Sequence, residues 1–268
     1  MAKTLCGRSV SDFGIGTWGI GGRSSPETGN DKAQVEAIQY ALDNDINVID
    51  TAEMYASGHT EEIVGRAIKE YDREKLFIIT KVWNTHLKSP DVLKAAEQSL
   101  KRLGTSYVDL YLIHWPNPSV PIAETISAME KLVENGFVRN IGVSNFNVKD
   151  LQDAMDAAKT CEISANQIEY NYAKREPELD IIPFCEKSKV DVIAYTPIMK
   201  GRIASYDLLK KIGQKYNATP IQIALNYVMK RGYPIPKSSK KNHIDELLGA
   251  LNFRLSEQDY IVLRDNPA

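Results

Sequence analysis

A chain of 268 residues lies between one large domain and two average ones, a size that suits a single α/β barrel. With 33 Lys and Arg interspersed among 35 Asp and Glu, the formal net charge is −2, which leaves no basic stripe for nucleic acid or for a membrane surface. A small molecule is therefore the expected ligand.

The three cysteines (Cys6, Cys161 and Cys185) are odd in number and far apart, so they read as reduced thiols rather than a disulfide frame. No apolar run approaches the roughly 20 residues of a membrane helix. The opening MAKTLCGRSV lacks the apolar segment of a secretory signal. A soluble, cytoplasmic protein is expected.

Along the chain, short β-rich runs alternate with amphipathic helical runs, the pattern of a parallel sheet built from βα units, and no linker or internal repeat interrupts it. KTLCGRSVS predicts a short hairpin centred on Gly7 that plugs the bottom of a barrel. GIGTWG then places Gly14, Gly16 and Gly19 in the spacing of a dinucleotide-binding loop. The context does not fit that reading. IGGRSSPETGN follows, so no helix opens where a pyrophosphate would need one, and Glu36 falls inside the helical run KAQVEAIQYAL rather than at a strand end. The stretch reads as a flexible strand end.

Strands are expected at 13–17, 47–52, 76–81, 107–113, 138–143, 163–170, 190–196 and 233–236. Helices fill the gaps, among them VLKAAEQSLKRL after Pro90, IAETISAMEKLVEN after Pro121 and PELDIIPFCEKSK from Pro177. Two further helices, at 219–230 and 256–264, start at the N-caps Thr219 and Ser256. Eight strands with intervening helices predict a (β/α)8 TIM barrel with an N-terminal β-hairpin and two extra helices, one domain over residues 1–268.

In such a barrel the chemistry lies at the C-terminal ends of the strands. Asp50 ends the second strand, with Tyr55 in the loop behind it; Lys81 ends the third and His114 the fourth. A tyrosine hydroxyl with a pKa of about 10 can give up a proton at neutral pH if a neighbouring ammonium stabilises the phenolate. In this set Asp50 orients Lys81, and His114 positions a carbonyl oxygen. The group suits proton donation to a carbonyl receiving hydride, and the hydride has to come from a cofactor. Two competing chemistries fit less well. A glycosidase-like pair from Asp50 and Glu53 would leave Tyr, Lys and His incidental, with Glu53 free to face solvent. His59, His86, His114 and His243 are too dispersed to close a metal site.

DTAEMYASGHTEEIVG, ITKVW, DLYLIHWP, VRNIGVSNF, NQIEYN, AYTPI and IPKS, in this order and spacing, resemble the aldo-keto reductases over essentially the full length. The resemblance implies reversible, metal-free reduction of aldehydes and ketones with a nicotinamide cofactor. It implies Tyr55 as general acid, with Lys81 and Asp50 lowering its pKa and His114 orienting the substrate carbonyl.

It also implies a cofactor site. Gly16, Thr17 and Trp18 lie beside the nicotinamide with Asp50; Ser144, Asn145 and Gln167 bind its carboxamide; Tyr195 stacks on the ring. Thr196, Pro197, Ile198, Lys200, Gly201 and Arg202 wrap the pyrophosphate. Lys237 and Ser238 meet the adenosine 2′-phosphate, His243 takes the position of a cationic donor beside it, and Glu246 is a further cofactor-binding position. Relatives often carry Arg where this chain has His243 and Asn where it has Leu247, so NADP(H) is favoured and NAD(H) stays open. Trp18, Trp83 and Trp115, with Tyr55 and His114, are expected to line an open apolar pocket of broad carbonyl specificity. The GHTEEIVG stretch also resembles the branch containing potassium-channel β subunits, which gives the alternative of a regulatory, cofactor-binding subunit with little turnover. A monomer is favoured, with the oligomeric state left open.

Overall fold

Strand runs buried on both faces and helices with one apolar stripe assemble as a sheet wrapped by helices in this computed structural model, which describes residues 3–266. A two-stranded hairpin, β1 (Lys3–Leu5) and β2 (Arg8–Val10), comes first. Eight parallel strands follow: β3 (Ile15–Gly16), β4 (Val48–Asp50), β5 (Phe77–Val82), β6 (Val108–Ile113), β7 (Val138–Ser144), β8 (Ile163–Glu169), β9 (Asp191–Tyr195) and β10 (Tyr233–Pro234). Each pairs with its neighbour in chain order. All eight expected strands are present.

The helices are α1 (Asp31–Asp43), α2 (His59–Ile68), α3 (Ser89–Leu103), α4 (Ile122–Glu134), α5 (Val148–Ala157), α6 (Ile181–Ser188), α7 (Asp207–Tyr216), α8 (Pro220–Met229), α9 (Lys241–Leu248) and α10 (Glu257–Asp265). Thr219 caps α8 in a reciprocal capping box with Gln222, and the Ser256 hydroxyl accepts the Asp259 N–H at the start of α10. The helix expected at 219–230 serves the seventh βα unit, so the two additional helices are α7 and α10. The single helix expected from Pro177 is split into a 3₁₀ turn, Glu176–Glu178, and α6, because the Asp180 carboxylate accepts the Ile181 N–H and restarts the helix there. Among the described residues no helix is long and apolar enough to cross a membrane.

The first and last strands close the ring. Gly14 N–H donates to the Pro234 carbonyl and Gly16 N–H to the Pro236 carbonyl, each at 3.0 Å. Close approach of neighbouring strands explains two glycines of GIGTWG, Gly16 at the seam and Gly14 against β4, whereas Gly19 is set by its φ of 82°. A Cβ on Gly16 would lie 2.8 Å from the Ile235 carbonyl oxygen, and one on Gly14 would lie 2.9 Å from Val48 Cγ1. Gly16→Ala is accordingly expected to destabilise the protein by about 1–3 kcal/mol through overpacking at the seam, read from thermal melts. An unchanged melting temperature would mean that the seam has room.

Inside the ring, Val48, Phe77, Ile79, Leu110, Leu112 and Ile193 pack with Leu5 and Val10 of the hairpin. Cys6 and Gly7 both have positive φ, 48° and 74°, which gives the tight two-residue turn that the hairpin needs. Beneath the strands, Asp109 accepts from Arg8 and Arg73 at 2.6 Å each and from the Ile78 N–H at 2.8 Å. The hairpin thus seals the N-terminal end of the barrel, and the C-terminal ends form the open mouth.

Candidate active site

At that mouth, β4 ends in Asp50 and the chain turns sharply after Tyr55. Ala56, Ser57 and Gly58 are all left-handed, with φ of 47°, 54° and 94°. The conformation costs roughly 1–2 kcal/mol for each non-glycine residue, so the turn must be held from outside. Ala56 N–H donates to the Arg23 carbonyl at 2.7 Å and the Ser57 hydroxyl to the Ser24 carbonyl at 2.8 Å.

Lys81 points inward from β5 and is fully buried. Its ammonium donates to Asp50 Oδ2 at 2.9 Å, to the Thr51 carbonyl at 2.8 Å and to the Tyr55 hydroxyl at 3.2 Å. All three N–H groups are thereby used, and the phenol oxygen is fixed as an acceptor. Its own O–H is left to point into the mouth. Asp50 Oδ1 accepts from Gln167 Nε2 at 2.7 Å, so neither carboxylate oxygen is idle.

Burial pushes the Tyr55 phenol up, the Lys81 ammonium pulls it down, and the Asp50 carboxylate pushes it up again, which leaves the phenol above its ordinary value rather than below it. Asp50 therefore does not lower the phenol directly, contrary to the expectation above. Its help is indirect. Burial works against the Lys81 ammonium, but Asp50 and Tyr55 outweigh it and hold Lys81 above its ordinary value, so the charge beside the phenol persists.

His114 follows β6 with its ring edge-on to Tyr55, centroids 5.5 Å apart, and to Trp83 at 5.1 Å. Burial, helped by the Lys81 charge, depresses its pKa to about 2, so the imidazole is neutral. Its Nδ1 is buried without a partner among the described residues. A buried orphan N–H is rarer and costlier than a buried lone pair, so we assign the proton to Nε2.

Trp18 packs edge-on against Tyr55 at 4.9 Å and is 39% exposed, forming a second aromatic wall. Trp115, 42% exposed, stands at the rim outside this aromatic group.

The expected cofactor residues gather around the same mouth, and several are tied to one another. Thr17, next to Gly16, donates both its N–H and its hydroxyl to the Asp50 carbonyl. The Ser144 hydroxyl donates to the Gln167 carbonyl at 2.9 Å. Asn145 Nδ2 donates to the His114 carbonyl at 3.1 Å and to Ser144 Oγ at 3.0 Å, while its Oδ1 accepts from the Tyr195 hydroxyl at 2.8 Å.

After β9 the chain carries Thr196, Pro197 and Ile198 into a turn where Thr196, Met199, Lys200 and Gly201 all have positive φ. Lys200 and Arg202 have no carboxylate partner among the described residues. Beyond β10, Lys237 donates to Ser239 Oγ, and Ser238 bonds the Lys240 backbone in both directions. His243 is exposed on α9, and Glu246 is half-buried there, its carbonyl accepting from Gln222 Nε2. Burial and the Lys240 charge push Lys237 down. A cluster of Lys237, Lys240 and Lys241 with no carboxylate partner among the described residues fits a phosphate-bearing ligand, which would relieve that repulsion.

Two carboxylates that sequence reasoning did not single out as site residues prove to be bound inside the protein, Glu61 buried and Glu53 half-buried. Glu53 does not face solvent: it accepts the Trp83 N–H at 2.6 Å and bonds His86 Nδ1 at 3.0 Å. Glu61, fully buried in α2, accepts from Thr80 Oγ1 at 2.5 Å and from Arg102 Nε at 2.6 Å. Burial pushes Glu61 up, against the pull of Arg102 and Thr80. A signal was present, since Glu61 shares the core-facing stripe of α2 with Val64 and Ile68, where a carboxylate needs a partner.

The profile of the Aldo/keto reductase family matches residues 12–264. The chain is 33% identical to a methylglyoxal reductase of Escherichia coli (strain K12), over 95% of this chain and 90% of that one. It is 36% identical to a glyoxal reductase of Bacillus subtilis (strain 168), over 92% and 85%. Among solved structures, a thermostable aldo-keto reductase in complex with the inhibitor epalrestat superimposes with a TM-score of 0.95 at 41% identity, covering 99% of each chain. An aldo/keto reductase from Klebsiella pneumoniae in complex with NADP and acetate gives a TM-score of 0.89 at 33% identity, covering 99% of this chain and 95% of that one.

Proposed function

Because the chain belongs to the aldo/keto reductase family, and so reduces carbonyl compounds with a nicotinamide cofactor, we propose that Tyr55 is the proton donor of that reaction. The observation that carries this reading is the saturated Lys81 ammonium, which holds the phenol oxygen as an acceptor and turns its O–H toward the substrate.

Tyr55 gives its proton to the carbonyl oxygen, and Lys81 stabilises the phenolate left behind. Asp50 keeps Lys81 charged and in place. The neutral His114, protonated at Nε2, donates a hydrogen bond to the same oxygen and orients the carbonyl. Trp18 and Trp83 form apolar walls on either side, which suits small aldehydes and ketones, including the dicarbonyls for which the two bacterial relatives are named.

NADP(H) is the cofactor, as in the Klebsiella pneumoniae structures, and when bound it supplies the hydride. In this reading Ser144, Asn145, Gln167 and Tyr195 hold its nicotinamide end, the turn from Thr196 to Arg202 its pyrophosphate, Lys237, Ser238 and His243 its 2′-phosphate, and Glu246 another part of its adenosine end. The three free cysteines suit a single barrel domain working in a reducing compartment such as the cytoplasm.

The test is to follow NADPH and NADH consumption with a panel of aldehydes and ketones that includes methylglyoxal. Turnover with NADPH is expected. Tight NADPH binding without turnover of any carbonyl would overturn the enzymatic reading in favour of a regulatory subunit.

A further inference from the structure

We infer that Glu53 and Glu61 act as a pair of positioning residues that staple the turn carrying Tyr55 to the strand carrying Lys81, and so set the contact between those two side chains. The inference rests on the reading of Tyr55 as the proton donor.

The two glutamates flank Tyr55 in the chain, and the groups they bind flank Lys81. Upstream, Glu53 accepts the Trp83 N–H at 2.6 Å, and its own N–H donates to the Lys81 carbonyl at 3.3 Å. Downstream, Glu61 accepts from the Thr80 hydroxyl at 2.5 Å. Between the staples lies the left-handed run Ala56–Gly58, which the Arg23 and Ser24 carbonyls hold in shape and the two glutamates tie to β5. Lys81 cannot follow a drifting phenol, because its other two N–H groups are committed to Asp50 and to the Thr51 carbonyl. The 3.2 Å contact between Lys81 and Tyr55 is therefore set by the placement of the turn.

Each carboxylate is held in turn by a second group. Arg102 donates to Glu61 at 2.6 Å, and its side chain also packs beneath Gly58, where a Cβ would lie 2.8 Å from Arg102 Cδ. His86 bonds Glu53 at 3.0 Å. The Glu53 staple has a second effect, since fixing the Trp83 backbone also fixes the ring that lies edge-on to His114.

Thr80→Val removes one staple at nearly constant volume, and Glu53→Ala removes the carboxylate bond of the other, leaving only its backbone N–H on the Lys81 carbonyl. Each variant is expected to lower kcat for carbonyl reduction about tenfold, with NADPH affinity by fluorescence titration unchanged, because a small displacement of an acid costs rate rather than cofactor binding. In the direction of alcohol oxidation the phenolate is the base, so loosening its contact with Lys81 should move the rising limb of the kcat–pH profile to higher pH. The other groups facing the phenol, Asp50, His114 and Tyr195, stay in place and leave that sign unaltered. Thr80→Ser and Glu53→Gln, which keep the hydroxyl and the acceptor oxygen, should restore both kcat and the limb.

A role confined to folding would lower the melting temperature and leave kcat per folded molecule and the pH limb where they were; that result in both variants overturns the inference. Tyr55→Phe, run alongside, separates the two levels. Full turnover in Tyr55→Phe removes the underlying reading, whereas its loss there with unaltered Thr80→Val and Glu53→Ala removes only the staples.

Discussion

Tyr55→Phe is expected to lower carbonyl reduction by about 10²–10⁴-fold, the usual contribution of a positioned acid, while NADPH still binds. No neighbour can take over the proton. Lys81 regains one free N–H in this variant, but Asp50 holds its ammonium charged and so makes it a poor acid; Asp50 accepts from Lys81 and Gln167, and His114 at a pKa of about 2 carries no surplus proton at any pH where the enzyme would be assayed. Losing the phenol deletes the acid and leaves the oxyanion neighbourhood otherwise intact. Stopped assays with NADPH and a reactive aldehyde, together with a fluorescence titration of the cofactor, check both halves. Turnover near that of the parent would remove Tyr55 from the reaction. By the same reasoning, no limb of the pH profile between 5 and 8 belongs to His114.

Lys81→Met should do more than stop the reaction. It leaves the Asp50 carboxylate, 2% exposed, facing only the Gln167 amide, and removing one partner of a buried ion pair costs about 3–5 kcal/mol. For a chain of this size that is a fall of the order of 10 °C in melting temperature. Replacing both members, Lys81→Met with Asp50→Leu, should recover much of the stability and none of the activity, because the apolar pair removes the stranded charge but supplies no ammonium to the phenolate. Equal stability of the single variant and the parent would mean that the pair is solvated in solution.

The strands and most helices were legible because a parallel sheet buried on both faces writes itself as apolar runs, as in FIITKV and VDLYLI, which lie wholly inside. Asp50, Lys81 and His114 stood out as polar residues ending such runs. α7 and α9 were less visible. In α9 only Ile244 and Leu247 face the core, too few to mark a helical period, and its lysine-rich start reads as a ligand loop.

The break before α6 depends on one local bond from Asp180, which periodicity does not report. The hardest features to read were relations between side chains. That Glu61 meets Thr80 and Glu53 meets the Trp83 backbone follows from how the turn after Tyr55 docks on β5, and three left-handed residues set that docking. The sequence shows a stretch of small residues there but not the direction in which it bends.

The Gly14 and Gly16 closure also gives the ring a weak generatrix. On one side of this line the glycines donate, while Pro234 and Pro236 on the other have no N–H to return. Elsewhere neighbouring strands can exchange hydrogen bonds at every step, whereas here two positions on the β10 side cannot donate, and Gly16 pairs with Lys237 only beyond them. Breathing of the cylinder should therefore concentrate along this line, on whose two banks stand Trp18 and Lys237.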